Sequence, residues 1–527
     1  DGKIAVMGDD GEKFGVWPET YNYCWRNQWV NQFFTELENN QNWLHTLPLG
    51  EYVRRFPPLG RIYLPCASYD EMLEWSLPSD KSWEYTKLKR QLEAEGRPDI
   101  TKFMRGGLWR NFLVKYPEIN RMHKKMLRVH EKVYQARPLD KDDCGLEELW
   151  KAQCNCPYWH GVFGGIYLAD IRATTYSHLI QAENKADKII HQHRSWLGRV
   201  FHLNQGWLEW QKTDFDGDGV EELLIDGNAF SVYLTPGEGG SIFEWDIRRH
   251  SYNLFSTLAR RPEAYHRALT ELPPEKQRGR GGGISSIHDL IRVKDEEASR
   301  FLVYDKHLRS SLIDHFFSPD TKLQEFADNL YTDLGNFADQ AYGLSLEKKG
   351  SGIKVRLRRS GILRIEGKSL PFEVEKEIGL EAREEKIEIN YCLRNMSNSS
   401  AEAVFGSEWN INLLGGGHNE QAYCRVPGFT LDDCHLDSWN ELIDIDKMVL
   451  GNRHLGIELE LTAAPKIGLW RFPVESISNS EGGVERLYQG SCLLVLLPFS
   501  LAPGGMASLN LIWRVKSLNT LAYERFR

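Results

Sequence analysis

The chain has 527 residues, 41% of them hydrophobic and 26% charged, and its 74 acidic against 65 basic side chains leave a formal net charge of −9. That balance carries no electrostatic footprint for nucleic acid or an anionic membrane, and no apolar run reaches the length of a membrane span. The length exceeds what one hydrophobic core can hold and predicts roughly two to four domains. Nine cysteines, an odd number scattered along the chain, argue against a disulfide framework and for a reducing, cytoplasmic compartment. The 17 Trp and 21 Tyr suit carbohydrate binding and large cores alike, so composition does not separate the two.

At the N-terminus the apolar run Ile4 to Met7 leads into Asp9, Asp10, Gly11 and Glu12. This is the pattern of a buried parallel strand that delivers acidic side chains to the rim of an α/β barrel. Carboxylates this close predict a raised pKa in at least one of them, the condition for a general acid near neutral pH. Trp17, just beyond Gly15, offers a flat apolar face of the kind sugar rings stack on. The Asp-Asp-Gly sequence also fits an ordinary turn.

Downstream, Trp25, Trp29 and Phe33, with Phe34 and Leu37, recur at helical spacing until Asn39 and Asn40, and read as a core stripe. Ser68 and Glu71 form a capping-box pattern that opens a helix through Met72 and Trp75 toward Pro78. Met122, Met126, Val129 and Val133 predict a packed helix with Arg121, Lys124, Lys125 and Arg128 on a solvated basic face. Cys154, Cys156 and His160 lie close together, but one residue between the cysteines is poor chelate spacing for zinc.

From about Phe201 short alternating segments with turn signals replace the helical stripes, as in a β-sandwich. Asp214, Asp216 and Asp218 alternate ahead of Gly219 like the first half of a calcium loop. The twelfth position is Ile225 where an EF-hand needs a bidentate Glu, so a turn-type calcium site and a plain acidic hairpin both remain open. Tyr252, Leu254, Phe255 and Leu258 read as a helical interlude, and Arg278 to Gly283 as a flexible surface loop without a phosphate-loop ending. His307, Arg309, Asp314 and His315 are candidates to decorate a pocket. Ile353 to Arg358 and Lys386 to Cys392 alternate cleanly, Phe405 to Asn410 and Ser491 to Leu497 read as central strands, and Leu509 to Val515 as the strand closing a sheet. Glu408 and Trp409 either face a cleft or are buried.

Asp9, Asp10, Glu12, Lys13, Phe14, Gly15, Val16, Trp17 and Pro18 together resemble the fourth conserved region of glycoside hydrolase family 57, in its 4-α-glucanotransferase and α-amylase branch. The resemblance implies that Asp10 is the general acid/base and that Glu12 and Trp17 contact the sugar. Gln153 to Asn155, Tyr158 to Gly161 and Phe163 to Gly165 resemble the fifth region of the same enzymes, with Trp159 stacking on a pyranose and His160 donating to a hydroxyl. Cys156 stands where some members carry Asp, and a thiol does not replace a charged acceptor. The segment 67–78 resembles the stretch that follows the family's barrel, and the C-terminal half its galactose-mutarotase-like supersandwich.

The implied fold is multidomain α and β: the C-terminal part of a (β/α)7-type barrel over 1–66, a helical domain with a cleft-lining segment over 67–198, and a β-sandwich over 199–527. The implied reaction is retaining glycosyl transfer on maltooligosaccharides or a starch- or glycogen-like α-glucan, with no cofactor needed for the chemistry. A homodimer is allowed; nucleic-acid and membrane partners are not expected. The family's nucleophilic Glu precedes the fourth region and is expected upstream of Asp1, so this polypeptide alone is expected to be inactive. Hydrolysis by an α-amylase and glucan binding without catalysis are the alternatives. A mutarotase-type epimerase is disfavoured because no His and Glu pair stands out.

Overall fold

The computed structural model describes residues 4–17, 20–64, 71–140, 142–160, 165–197, 206–271, 301–480 and 483–518. They fall into two compact units, one holding the described residues up to 64 and the other those from 71 onward.

In the first unit residues 4–10 form no strand, and Ile4, Val6 and Met7 are exposed, which corrects the buried barrel strand expected there. A parallel strand is made by hydrogen bonds to its neighbours, and among the described residues of this unit no strand lies beside it. Gly11–Phe14 instead winds into a 3-10 turn closed by Gly15 at φ 140°. A π-helical turn, Asn22–Arg26, leads to α1 (Trp29–Asn39), followed by α2 (Leu49–Arg55). The helix α1 ends as the sequence predicts, Asn40 closing it through its backbone and side-chain amides on the Glu36 carbonyl. Its aromatic stripe is not a core. Tyr23, Trp29 and Phe33 stack ring on ring at 5.9 and 5.4 Å, yet no residue of α1 is buried and Trp25 is 48% exposed.

The second unit opens with helices α3 (Glu71–Ser76), α4 (Ser79–Ala94), α5 (Pro98–Thr101), α6 (Trp109–Lys115), α7 (Pro117–Ala136), α8 (Leu146–Ala152) and α9 (Ala169–Leu197). Ser68, the expected cap of α3, lies outside the described residues. Pro117 suits the first turn of α7, where its missing N–H costs nothing. Met122, Val129 and Val133 of α7 pack with Phe112, Leu149, Leu179 and Ile180 in a helical core. The basic face of α7 is not solvated. Arg121 and Lys125 are buried, and the Lys125 ammonium lies 2.9 Å from each of Glu183, Glu244 and Asp246. A cation enters a core when carboxylates meet it there, and these come from α9 and the first sheet.

That sheet is antiparallel, in the order β1 (Leu208–Thr213), β2 (Glu222–Gly227), β3 (Phe230–Thr235), β4 (Ser241–Ile247) and β5 (Tyr252–Asn253). Tyr252 thus belongs to a strand, correcting the helical interlude; the next described helix is α10 (Ala264–Glu271). Arg278 to Gly283 lies outside the described residues.

The larger sheet contains β6 (Ile313–Phe317), β7 (Gly343–Lys349), β8 (Gly352–Ile365), β9 (Lys368–Glu381), β10 (Lys386–Asn395), β11 (Ala401–Ile411), β12 (Ala422–Arg425), β13 (Asn440–Asn452), β14 (Ile457–Ser480), β15 (Gly483–Leu501) and β16 (Met506–Ser517), with α11 (Leu323–Ala327) after β6. Its order is β6-β11-β15-β14-β16-β10-β9-β8-β7, and β12 and β13 extend it from β14. In β8, Ile353, Val355 and Leu357 are buried while Lys354, Arg356 and Arg358 are exposed, as the alternation predicts. The strand β16 lies between β14 and β10 rather than at an edge, because its Leu509, Leu511 and Trp513 side chains are core. Residues of both sheets share one hydrophobic core. No described helix is long and apolar enough to cross a membrane.

Candidate active site

In the first unit Asp10 is the cap residue of the 3-10 turn, and Glu12 and Lys13 lie within it. The Asp10 amide donates to Asp9 Oδ1 at 3.0 Å, and the Lys13 ammonium bridges back to the same carboxylate. That ammonium holds Asp9 below its ordinary value, so for Asp9 the raised pKa expected from crowded carboxylates is reversed by a cation one turn away. Lys13 Nζ lies 3.9 Å from Asp10 Oδ2, whose side chain is 65% exposed. The same ammonium sits 5.1 Å from the centroid of the half-buried Trp17 ring. Asp10, Glu12 and Trp17 therefore share one short turn, tied together when the Val16 and Trp17 amides donate to the Glu12 carbonyl. Pro18 lies outside the described residues.

In the second unit Trp159 is half-buried against Trp75, ring centroids 4.7 Å apart. His160 is buried, edge-on to Tyr167 at 4.9 Å and tilted against Tyr265 at 5.7 Å. Gly165 has a φ of 45°, and a Cβ there would run into the Trp159 carbonyl oxygen. Residues 161–164 lie outside the described residues. Neither Cys154 nor Cys156 is in a disulfide.

Sequence reasoning missed Glu263, one residue before α10. Tyr116 and Tyr167 donate their hydroxyls to its Oε1, and Lys115 donates to Oε2 at 2.9 Å. Burial pushes this carboxyl up, but Lys115, His160 and the two hydroxyls outweigh it and hold it at about 2. Glu263 thus anchors the Tyr167 ring on which His160 rests. No spacing in the sequence marks it.

Two family models match the chain: the α-amylase/4-α-glucanotransferase C-terminal domain over residues 214–510 and the middle domain of the same enzymes over 107–186. The chain belongs to the α-amylase/4-α-glucanotransferase family. Alpha-amylase 1 of Dictyoglomus thermophilum is 34% identical over 93% of this chain and 66% of its own length. The 4-alpha-glucanotransferase of Thermococcus kodakarensis is 35% identical over 94% and 67%. The crystal structure of the 4-alpha-glucanotransferase from Thermococcus litoralis superposes with a TM-score of 0.72 at 30% identity, covering 97% of this chain and 68% of that one. The chain thus spans about two thirds of the length of the curated relatives it matches. The resemblance of its motifs to the glucanotransferase branch of family 57 holds across the chain, and so does the mixed helix-and-sheet fold.

The match to the family's C-terminal domain begins at the acidic loop. Carboxylate oxygens of Asp214, Asp216 and Asp218 lie within 4.8 Å of one another. Asp214 accepts the Gly217 and Gly219 amides, Asp218 accepts the Val220 amide, and Asp216 Oδ2 accepts Arg121 Nε at 3.0 Å. Asp216 Oδ1 is buried with no hydrogen-bond partner among the described residues. Glu222 stands behind the loop, buried and pushed up to about 7. Ile225 is inside β2, as the departure from an EF-hand requires.

The sandwich of this family member also brings together a His and Glu grouping that its sequence did not reveal. Glu408 and Trp409 are fully buried, and Glu408 meets His307, His315 and Arg309. Burial alone would raise the Glu408 carboxyl, but Arg309 and the imidazoles hold it well below the usual carboxylate range.

Proposed function

We propose that this protein is a retaining enzyme of α-1,4-glucans, a 4-α-glucanotransferase that moves maltooligosaccharide segments between chains. The likeness to 4-α-glucanotransferases over nearly the whole chain carries this reading. Asp10 protonates the leaving glycosidic oxygen and then, as base, activates the acceptor hydroxyl, while a carboxylate nucleophile holds the glycosyl intermediate. Its exposure on a short turn leaves it open to a substrate. Glu12 accepts from sugar hydroxyls, Trp17 and Trp159 supply stacking faces, and His160 donates to a hydroxyl.

In this reading residues 1–66 belong to the catalytic (β/α)7-type barrel, 67–198 to the helical domain that lines the cleft, and 199–527 to a mutarotase-like supersandwich. The substrate is a maltooligosaccharide or a starch- or glycogen-like glucan, and the described cysteines, none of them in a disulfide, support a cytoplasmic setting. A homodimer is its proposed assembly, checked by light scattering. The acidic loop is assigned to calcium, with Asp214, Asp216 and Asp218 as ligands; the unpartnered Asp216 Oδ1 fits a cation in an all-oxygen set. Calorimetric titration with calcium that gives no heat would return the loop to a plain acidic hairpin.

The relative from Dictyoglomus thermophilum, named an alpha-amylase and 34% identical, supports a second reading in which water replaces the acceptor sugar. The glucan reading itself is tested by titrating the chain with maltoheptaose. Trp159→Ala is expected to weaken binding about tenfold, roughly 1.4 kcal/mol. Unchanged affinity would remove Trp159 from the cleft.

A further inference from the structure

The imidazole–carboxylate cluster of the large sheet takes no part in glucan chemistry as proposed above. Strands β6 and β11 pair with His315 opposite Gly406 and Ile313 opposite Glu408. His315 and Glu408 are therefore diagonal neighbours whose side chains leave the same face. The segment entering β6 adds His307. Its Nε2 lies 3.0 Å, and that of His315 2.9 Å, from one and the same atom, Oε2 of Glu408. The three donor atoms lie within 4.8 Å of one another. His315 and Glu408 are fully buried, and the His307 side chain, 12% exposed, forms the mouth.

Each buried donor is held from behind. Asp333 Oδ2 lies 2.8 Å from His315 Nδ1, and Arg309 and Asn410 donate to Glu408 Oε1 at 2.8 and 2.7 Å. Phe317, Phe326 and Tyr331 surround the His315 ring at 5.5 to 5.9 Å. A carboxylate on the far nitrogen and an apolar jacket fix the tautomer and direction of metal-binding histidines. Arg309 does not make the pocket cationic, since Asp305 also binds it and Arg260. Against these two guanidinium groups stand the carboxylates of Asp305, Asp333 and Glu408.

We propose that His307 Nε2, His315 Nε2 and Glu408 Oε2 form a binding site for one divalent transition-type cation of the zinc class. Two imidazoles and one carboxylate are a donor set that suits zinc, nickel or cobalt and disfavours calcium and magnesium, which take oxygen ligands. A cation seated among the three atoms takes the place of the two Nε2 protons, that of His315 leaving to solvent and that of His307 to solvent or to its own Nδ1, and so exchanges two N–H···O contacts for three metal–donor bonds. Its fourth coordination position opens on the His307 side.

The test uses the full chain, stripped with chelator and titrated with Zn²⁺ alone by calorimetry and with Co²⁺ alone by visible absorption. One equivalent of each should bind, with a d–d band for cobalt. His307→Ala should weaken binding at least tenfold and abolish the band, and Asp333→Asn should weaken it about 10- to 100-fold. Should His307→Ala fail to fold, His307→Gln, which still donates to Glu408 but ligates zinc poorly, carries the same expectation. His418→Ala, in the separate grouping of His418, Asp433 and His435, should leave the titration unchanged. Absence of saturable binding, equal affinity in the His307 variants, or loss in His418→Ala would each overturn the assignment. Glucan turnover does not enter the readout.

Discussion

Asp10 differs from Asp9 beside it in being only loosely held. Lys13 spends its charge on Asp9 and approaches Asp10 no closer than 3.9 Å. Asp10→Asn keeps the shape of the residue and removes its transferable proton. In the whole protein this change should lower glucan turnover about 10²- to 10⁴-fold with the fold unchanged by circular dichroism. Full activity in the variant would take the acid/base role from Asp10. Glu263 is the opposite kind of residue, buried and tied by four partners. Its folded-state pKa of about 2 lies below the ordinary 4.5, so its contribution to stability is complete above the ordinary value and lost as pH falls from about 4.5 toward 2. Unfolding free energy measured against pH should decline across that window, and Glu263→Gln should flatten the decline. A variant that follows the native curve would show that Glu263 is not the group responsible.

At the scale of elements, α7 joins the helical core to the first sheet through a cation. Replacing Lys125 by Met leaves Glu183, Glu244 and Asp246 buried without their common partner, at a cost of about 3–5 kcal/mol. Glu131→Ala, on the exposed side of the same helix, should stay within about 0.5 kcal/mol. Urea unfolding of the two variants checks both. The helix itself was legible, since Met122, Val129 and Val133 sit where a 3.6-residue period puts a core, and β8 was legible from strict alternation. The burial of Lys125 was not. Periodicity treats every lysine as polar, and its acidic partners come from about 58 to 121 residues further along the chain. Ile4 to Met7 misled for a related reason: apolar composition marks a strand only where neighbouring strands receive it. His307, His315 and Glu408 are brought together by the register of β6 on β11, which no local pattern encodes.

At the scale of the whole molecule, motifs predicted family membership better than they predicted any one element. The fourth- and fifth-region residues are long, specific runs, whereas each strand or helix depends on what packs against it. Two antiparallel sheets share one core, a helical layer packs through its own, and a separate N-terminal unit carries the turn of Asp10. The relatives matched over this length include proteins named 4-alpha-glucanotransferase and proteins named alpha-amylase. Product analysis after incubating maltotriose with the whole protein, native and Asp10→Asn, tests the central claim most directly. The account predicts glucose together with oligosaccharides longer than maltotriose, and neither with Asp10→Asn. Reducing ends accumulating without longer products would contradict transfer, and binding without turnover by the native protein would contradict catalysis altogether.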